Sequence, residues 1–257
     1  MPKILGMGAD QVNDTLGGYG YTSVNVEKLG AVEYTLVGIV TDKSGSVGGF
    51  KGDLEKMIQT SLEACQMSPR ALNLIARVSA FSLEYSGKTD IEEILGFTPL
   101  GGIDATKFAG TIDPDGQTPL FEATAEMLLA LKDYGEKLYD KQITSNAIMF
   151  IITDGDDNNP NKAFTPASIK AQLAELRREE KLESIRTILV GVNDTDPSMR
   201  AFLDAFKVEA GLDEYISVGE ATKGKLAKLA QFVSRSISSQ SAALGTGGPS
   251  KAVDFTF

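Results

Sequence analysis

Apolar runs alternate with amphipathic stretches along most of this chain, which is the pattern of a mostly parallel sheet covered by helices. Residues 34–41 (YTLVGIVT) are β-branched and apolar on both faces, as a central parallel strand must be, and the run ends at Asp42. Beyond a glycine-broken loop, Leu54, Met57, Ile58, Leu62 and Cys65 recur at helical spacing, which predicts a helix over 52–66 with one buried stripe. Residues 76–83 read as a strand, and an edge strand is expected near 94–97. Thr118-Pro119 opens a helix with Leu120, Met127, Leu128, Leu131 and Leu138 on one face and Pro119 at the tolerated first helical position. Residues 147–153 (AIMFIIT) form a second fully apolar strand that stops at Asp154-Gly155. Thr165-Pro166 caps a helix carrying Ile169, Leu173 and Leu176, followed by a strand over 185–192, a helix over 197–209 and a short strand over 215–218. Leu226, Leu229, Val233 and Ile237 line a final helix.

The expected fold is therefore α/β and Rossmann-like: a doubly wound, mostly parallel central sheet with an antiparallel edge strand and helices on both faces. At 257 residues the chain can bury one full core, so one domain is expected over 31–240. Residues 1–30 would form an N-terminal extension, either a hairpin strand around 21–26 or an arm, and 241–257 a flexible Gly-rich tail.

Charge and chemistry narrow the function. Lys plus Arg is 25 against 35 Asp plus Glu, and a formal charge of −10 repels phosphate backbones and anionic lipid surfaces, so neither nucleic acid nor membrane is an expected partner. No run approaches the ~20 apolar residues of a membrane span. Cys65 is the only cysteine and there is no histidine, which excludes an internal disulfide and removes the commonest general base and transition-metal ligand. Any chemistry must use oxygen, and the expected location is cytoplasmic.

The informative oxygens stand at the C-terminal ends of the expected strands, where open α/β sheets place ligands. Asp42-Lys43-Ser44-Gly45-Ser46 presents a carboxylate and two hydroxyls at alternate positions, which a turning loop can direct to one point. Each piece also has a plainer reading: a turn after a strand for Asp42 and its serines, a helix N-cap for Thr118, a tight turn for Asp154-Gly155 and a solvated loop for Asp156, Asp157, Asn158 and Asn159.

Asp42-Lys43-Ser44-Gly45-Ser46 resembles the D-x-S-x-S signature of the metal-ion-dependent adhesion site of von Willebrand factor A domains. Gly116-Gln117-Thr118-Pro119-Leu120 looks like that family's threonine loop and Ile151-Ile152-Thr153-Asp154-Gly155 like its second-aspartate loop, in family order over roughly residues 34 to 240. The resemblance implies that Asp42, Ser44, Ser46, Thr118 and Asp154 surround one divalent cation, Mg²⁺ or alternatively Mn²⁺ or Ca²⁺, with the serines as direct ligands. It implies a binding module, not an enzyme: an acidic residue of a partner protein completes the coordination. Intracellular relatives act as adaptors, often beside an AAA+ ATPase or within larger assemblies. Val47-Gly48-Gly49-Phe50 lacks the acidic pair of the family's extra calcium site, so a single metal is expected.

Other readings stay open at this point. Asp42 could be the nucleophile of an Mg²⁺-dependent phosphohydrolase. The chain could instead be a structural subunit whose metal site is incidental. Lys43 either points into solvent or attracts an acidic ligand. The basic side of the last helix, Lys223, Lys225, Lys228 and Arg235, reads as a solvated face, and Cys65 as a small core residue.

Overall fold

The computed structural model describes residues 2–4, 11–16, 19–84, 86–160, 162–246 and 253–254. In chain order the elements are β1 (Gln11–Leu16), β2 (Tyr19–Val24), β3 (Glu33–Asp42), α1 (Lys51–Gln66), β4 (Leu74–Leu83) and β5 (Thr89–Pro99). They continue with α2 (Leu120–Asp140), β6 (Thr144–Thr153), α3 (Pro166–Arg178), β7 (Ile185–Val192), α4 (Pro197–Ala210), β8 (Glu214–Gly219) and α5 (Lys223–Thr246). The strands form one eight-stranded sheet in the order β1-β2-β5-β4-β3-β6-β7-β8.

From β4 to β8 every neighbouring pair is parallel, so the fold is the doubly wound α/β sheet that the alternation implies. Strand order reverses between β3 and β6, because β3 runs through α1 to β4 on one side while β6 pairs with β3 on the other. The C-terminal ends of β3 and β6 therefore flank the switch point, where helices diverge to opposite faces and leave a crevice.

The period of two along the strands divides the core. Val37 and Ile39 of β3, with Ile148, Phe150 and Ile152 of β6, pack with the apolar stripes of α1 and α5. Leu36 and Val40, with Ala147, Met149 and Ile151, face α2, α3 and α4. Gly38 lies on this second face, and a Cβ there would stand 2.8 Å from Met127 Sδ and 3.3 Å from Leu131 Cδ1 of α2. Gly38→Val is expected to cost about 1–3 kcal/mol through overpacking, read as a lower urea midpoint with an unchanged m-value. A neutral result would show that α2 gives way freely.

The strand near 94–97 is longer than expected and is not the edge. β5 is antiparallel to β4 and lies inside the sheet, because β2 pairs parallel to it at Ser23↔Phe97 and carries β1 outside it as an antiparallel hairpin. Ile4 also bridges Leu95 of β5 and is buried. The hairpin is held on α2 by side chains: Lys137 pairs with Asp14 at 2.6 Å and Asp133 at 2.7 Å, and Tyr21 donates its hydroxyl to Asp133.

A buried ion cluster joins four elements beneath the hairpin. Arg77 of β4 is 1% exposed and grips Glu126 of α2 through both terminal nitrogens, at 2.9 and 2.6 Å. Its Nε donates to Glu93 of β5 at 3.2 Å, and the Glu93 carboxylate accepts from the Thr22 N–H of β2.

The helix starts follow their local chemistry at α3, where Thr165 and Ser168 form a reciprocal capping box, and at α4, where Asp196 accepts from Ser198 N–H. At the other end of the chain, α5 runs on to Thr246. Of the tail expected over 241–257, residues 247–252 and 255–257 lie outside the described residues, and Val253 packs against the α1 and α5 side of the core. Cys65 is fully buried there, and burial pushes its thiol up to about 12, as suits a core residue. No helix among the described residues is long and apolar enough to cross a membrane.

Candidate metal centre

Three loops meet at the C-terminal ends of β3 and β6. Asp42 closes β3 and is 1% exposed, with both carboxylate oxygens engaged. Its Oδ1 accepts the Ser44 N–H at 2.7 Å, and its Oδ2 accepts the Thr153 hydroxyl at 2.7 Å. The carboxylate is thus aimed by its own loop and by the last residue of the neighbouring strand.

The chain of oxygens continues outward. Ser44 Oγ and Ser46 Oγ are 3.1 Å apart, and the Ser46 hydroxyl donates to Asp154 Oδ1 at 2.9 Å. Asp42, Ser44, Ser46 and Asp154 therefore form one connected group that runs from buried to exposed. Thr118 is buried beside it: a Cβ on Gly155 would lie 3.2 Å from Thr118 Oγ1, so the absence of a side chain at 155 lets the threonine hydroxyl approach the Asp154 loop. Backbone bonds tie the threonine loop to the serine loop, with Gly45 N–H donating to Gly116 C=O at 3.1 Å and Asp115 N–H to Lys43 C=O at 2.9 Å. Further back, the buried carboxylate of Glu55 accepts from Gly110 and Ile112 N–H at 2.9 and 2.8 Å and anchors the same loop.

The electrostatics are those of crowded oxygen. Burial, and then the neighbouring Asp154 carboxylate, push Asp42 up to about 7, against the lowering effect of the Thr153 and Ser44 hydrogen bonds. Burial also raises Asp154, and its leading opposing influence is the Ser46 hydrogen bond. Two carboxylates held together in this way gain by sharing a positive ion. Among the described residues no three His, Cys, Asp or Glu side chains gather into a metal cage, so a cation here would depend on the hydroxyls. The donor set consists entirely of hard oxygen and suits Mg²⁺, Mn²⁺ or Ca²⁺, not a thiophilic metal.

Three details correct the reading from sequence. Lys43 does not point into solvent, and its charge is already engaged: its side chain is 7% exposed and pairs with Asp90 at 2.6 Å and Glu92 at 3.0 Å at the start of β5. Thr118 does not cap α2 with its side chain, and Pro119 precedes the helix instead of opening it. The cap comes from a distance, where Asp157 Oδ2 accepts Phe121 N–H at 2.9 Å, placing a carboxylate at the positive end of the helix dipole. The run 156–159 is thus not simply solvated, since Asp157 and Asn159 are buried and Asn158 bonds to Thr118. Thr153 was also missed; its only signal was a hydroxyl ending an otherwise apolar strand.

With this geometry in view, comparison with solved structures is informative about fold. A pilus adhesin, SpaC from Lactobacillus rhamnosus GG, superposes with a TM-score of 0.56 at 11% identity over 92% of this chain and 36% of the adhesin. A point mutant of the PilB minor pilin from Streptococcus sanguinis gives 0.51 at 14% identity, over 84% of this chain and 64% of the pilin. Proximal thread matrix protein 1 from the mussel byssus gives 0.50 at 14%, over 79% and 48%. In each case this chain spans less than two thirds of the length of the structure it matches, and identities this low speak to the fold alone. No protein-family model and no curated protein matches the sequence.

Proposed function

We propose that this chain is a von Willebrand factor A-type binding module, centred on residues 31–240, in which Asp42, Ser44, Ser46, Thr118 and Asp154 hold one divalent cation, Mg²⁺ or alternatively Mn²⁺ or Ca²⁺. The observation that supports it most is the connected set of contacts from buried Asp42, through the Ser44 N–H and the Ser44 and Ser46 hydroxyls, to Asp154, with Thr118 alongside. A bound cation supplies an open coordination position for an anionic oxygen, and an Asp or Glu carboxylate of a partner protein fits it. The residues themselves do three things. Ser44 and Ser46 present hydroxyls, Asp42 and Asp154 balance a double positive charge, and Thr153 keeps Asp42 turned inward. Folds of this kind in a pilus adhesin and a minor pilin agree with a role in protein contact, not turnover. A cytoplasmic location belongs to the same proposal and is open to test by cell fractionation.

A phosphohydrolase with Asp42 as nucleophile gains no support. Both of its oxygens are bonded and the side chain is 1% exposed, which leaves no line of attack, and Lys43 is committed to Asp90 and Glu92.

Thermal melting tests the reading. At a hundredfold excess over Kd, Mn²⁺ should stabilise the wild type by about 2.7 kcal/mol relative to EDTA, or roughly 5–11 °C for a chain of this size. Asn at position 42 can still accept from Ser44 N–H and donate to Thr153, so Asp42→Asn should melt no lower than wild type in EDTA and lose the Mn²⁺ response. A wild type indifferent to both Mn²⁺ and Mg²⁺ would end the proposal.

A further inference from the structure

The loop that carries Asp154 also takes hold of Thr118 itself. Thr118 N–H donates to Asn158 Oδ1 at 2.7 Å, and Asn158 N–H donates back to the Thr118 carbonyl at 3.1 Å. One residue thus engages both main-chain polar groups of the threonine. The neighbouring Asp157 carboxylate holds Phe121 N–H, and Gly155 lies against the Thr118 hydroxyl. The residues before Thr118 are secured differently, with Gln117 paired to Leu83 of β4 and Gly116 to Gly45. Once the peptide groups of a residue are fixed on both sides, its hydroxyl can only choose among staggered χ1 positions. Thr118 itself is 3% exposed while Asn158 stands at the surface, so truncating Asn158 leaves the Thr118 N–H without a fixed acceptor.

We propose that Asn158 is a positioning residue that sets the Thr118 hydroxyl relative to Asp154, so that the two loops offer their oxygens to the cation as one unit. The inference rests on the metal reading above and adds to it a residue whose own atoms stay outside the ligand set. Outer-shell partners of this kind orient ligands and set affinity without touching the ion.

The test is a Mn²⁺ titration of the full chain, following free ion by electron paramagnetic resonance. The proteins are wild type, Asn158→Ala, Asn158→Asp, Thr118→Ala and the Asn158→Ala/Thr118→Ala double variant, each also melted in EDTA. Asn158→Ala should weaken Mn²⁺ about tenfold or more, the range for removal of an outer-shell partner. Asn158→Asp keeps the acceptor oxygen and should lose no affinity. In the Thr118→Ala background, Asn158→Ala should change Kd less than about twofold, because the two residues act through one interaction. A merely structural role would weaken binding equally in both backgrounds. Should Asn158→Ala not fold, Asn158→Ser, too short to reach Thr118 N–H, takes its place in the same comparison. Wild-type affinity in the variant that lacks the acceptor overturns the inference and leaves the metal reading intact; a wild type without saturable Mn²⁺ binding removes both.

Discussion

Arg77→Ala is expected to destabilise the chain by about 3–5 kcal/mol, the usual cost of removing one partner from a buried ion pair. Glu126 is 2% exposed and has its two oxygens on the guanidinium, while Glu93 is held by the same group through Nε. Among the described residues, removing Arg77 leaves the Glu126 carboxylate without a partner and the Glu93 carboxylate with only Thr22. Because Glu93 also accepts the Thr22 N–H, the damage should spread to the β1–β2 hairpin, which is joined to β5 at Ser23↔Phe97. Urea unfolding should show the loss, and amide exchange should show β2 opening more often than β3 or β6. Arg77→Met combined with Glu126→Leu should recover part of the loss, since apolar replacement of both partners removes the stranded charge. A single variant within 1 kcal/mol of wild type would mean that the cluster is hydrated and structurally idle.

Gly116→Ala is expected to cost roughly 2–5 kcal/mol, combining left-handed backbone strain with overpacking. Gly116 has φ +69°, and a Cβ there would fall 2.0 Å from the Leu83 carbonyl oxygen, which belongs to a strand and cannot swing aside as a side chain would. Relief requires breaking the reciprocal bonds between Leu83 and Gln117, at 2.8 and 2.9 Å, or the Gly45 contact to Gly116 C=O. Both hold Thr118 beside the serine loop, so stability and Mn²⁺ affinity should fall together. Gly48→Ala is the control, because nothing lies within 4 Å of a Cβ placed there, and it should change neither. Unaltered stability in Gly116→Ala would show that the threonine loop is not held as described.

Much of the scaffold was legible because its signals are local. The runs over 34–41 and 147–153 are apolar on both faces, and only burial between two helical layers satisfies such a strand. Thr165-Pro166 and the stripe of Leu54, Ile58 and Leu62 likewise carry their own stop, start and face. The position of β5 was not legible, since edge or interior depends on whether another strand covers it, and the covering hairpin lies far earlier in the chain. Lys43 was misread for a similar reason: its partners Asp90 and Glu92 lie on a different strand.

By itself, then, the sequence determined most of the core strands and helices, though not β1 or the full length of β5, and where the oxygen side chains of Asp42, Ser44, Ser46, Thr118 and Asp154 stand along them, because period and turn chemistry act over a few residues. Only the tertiary structure decided that Arg77 is buried against Glu126, that Asp157 caps a helix it does not belong to, and that Asn158 grips Thr118. Arg77 and Asp157 are polar groups whose burial is tolerable only when a distant partner meets them, and Asn158, itself at the surface, meets the buried Thr118; each meeting is set by how the strands are ordered.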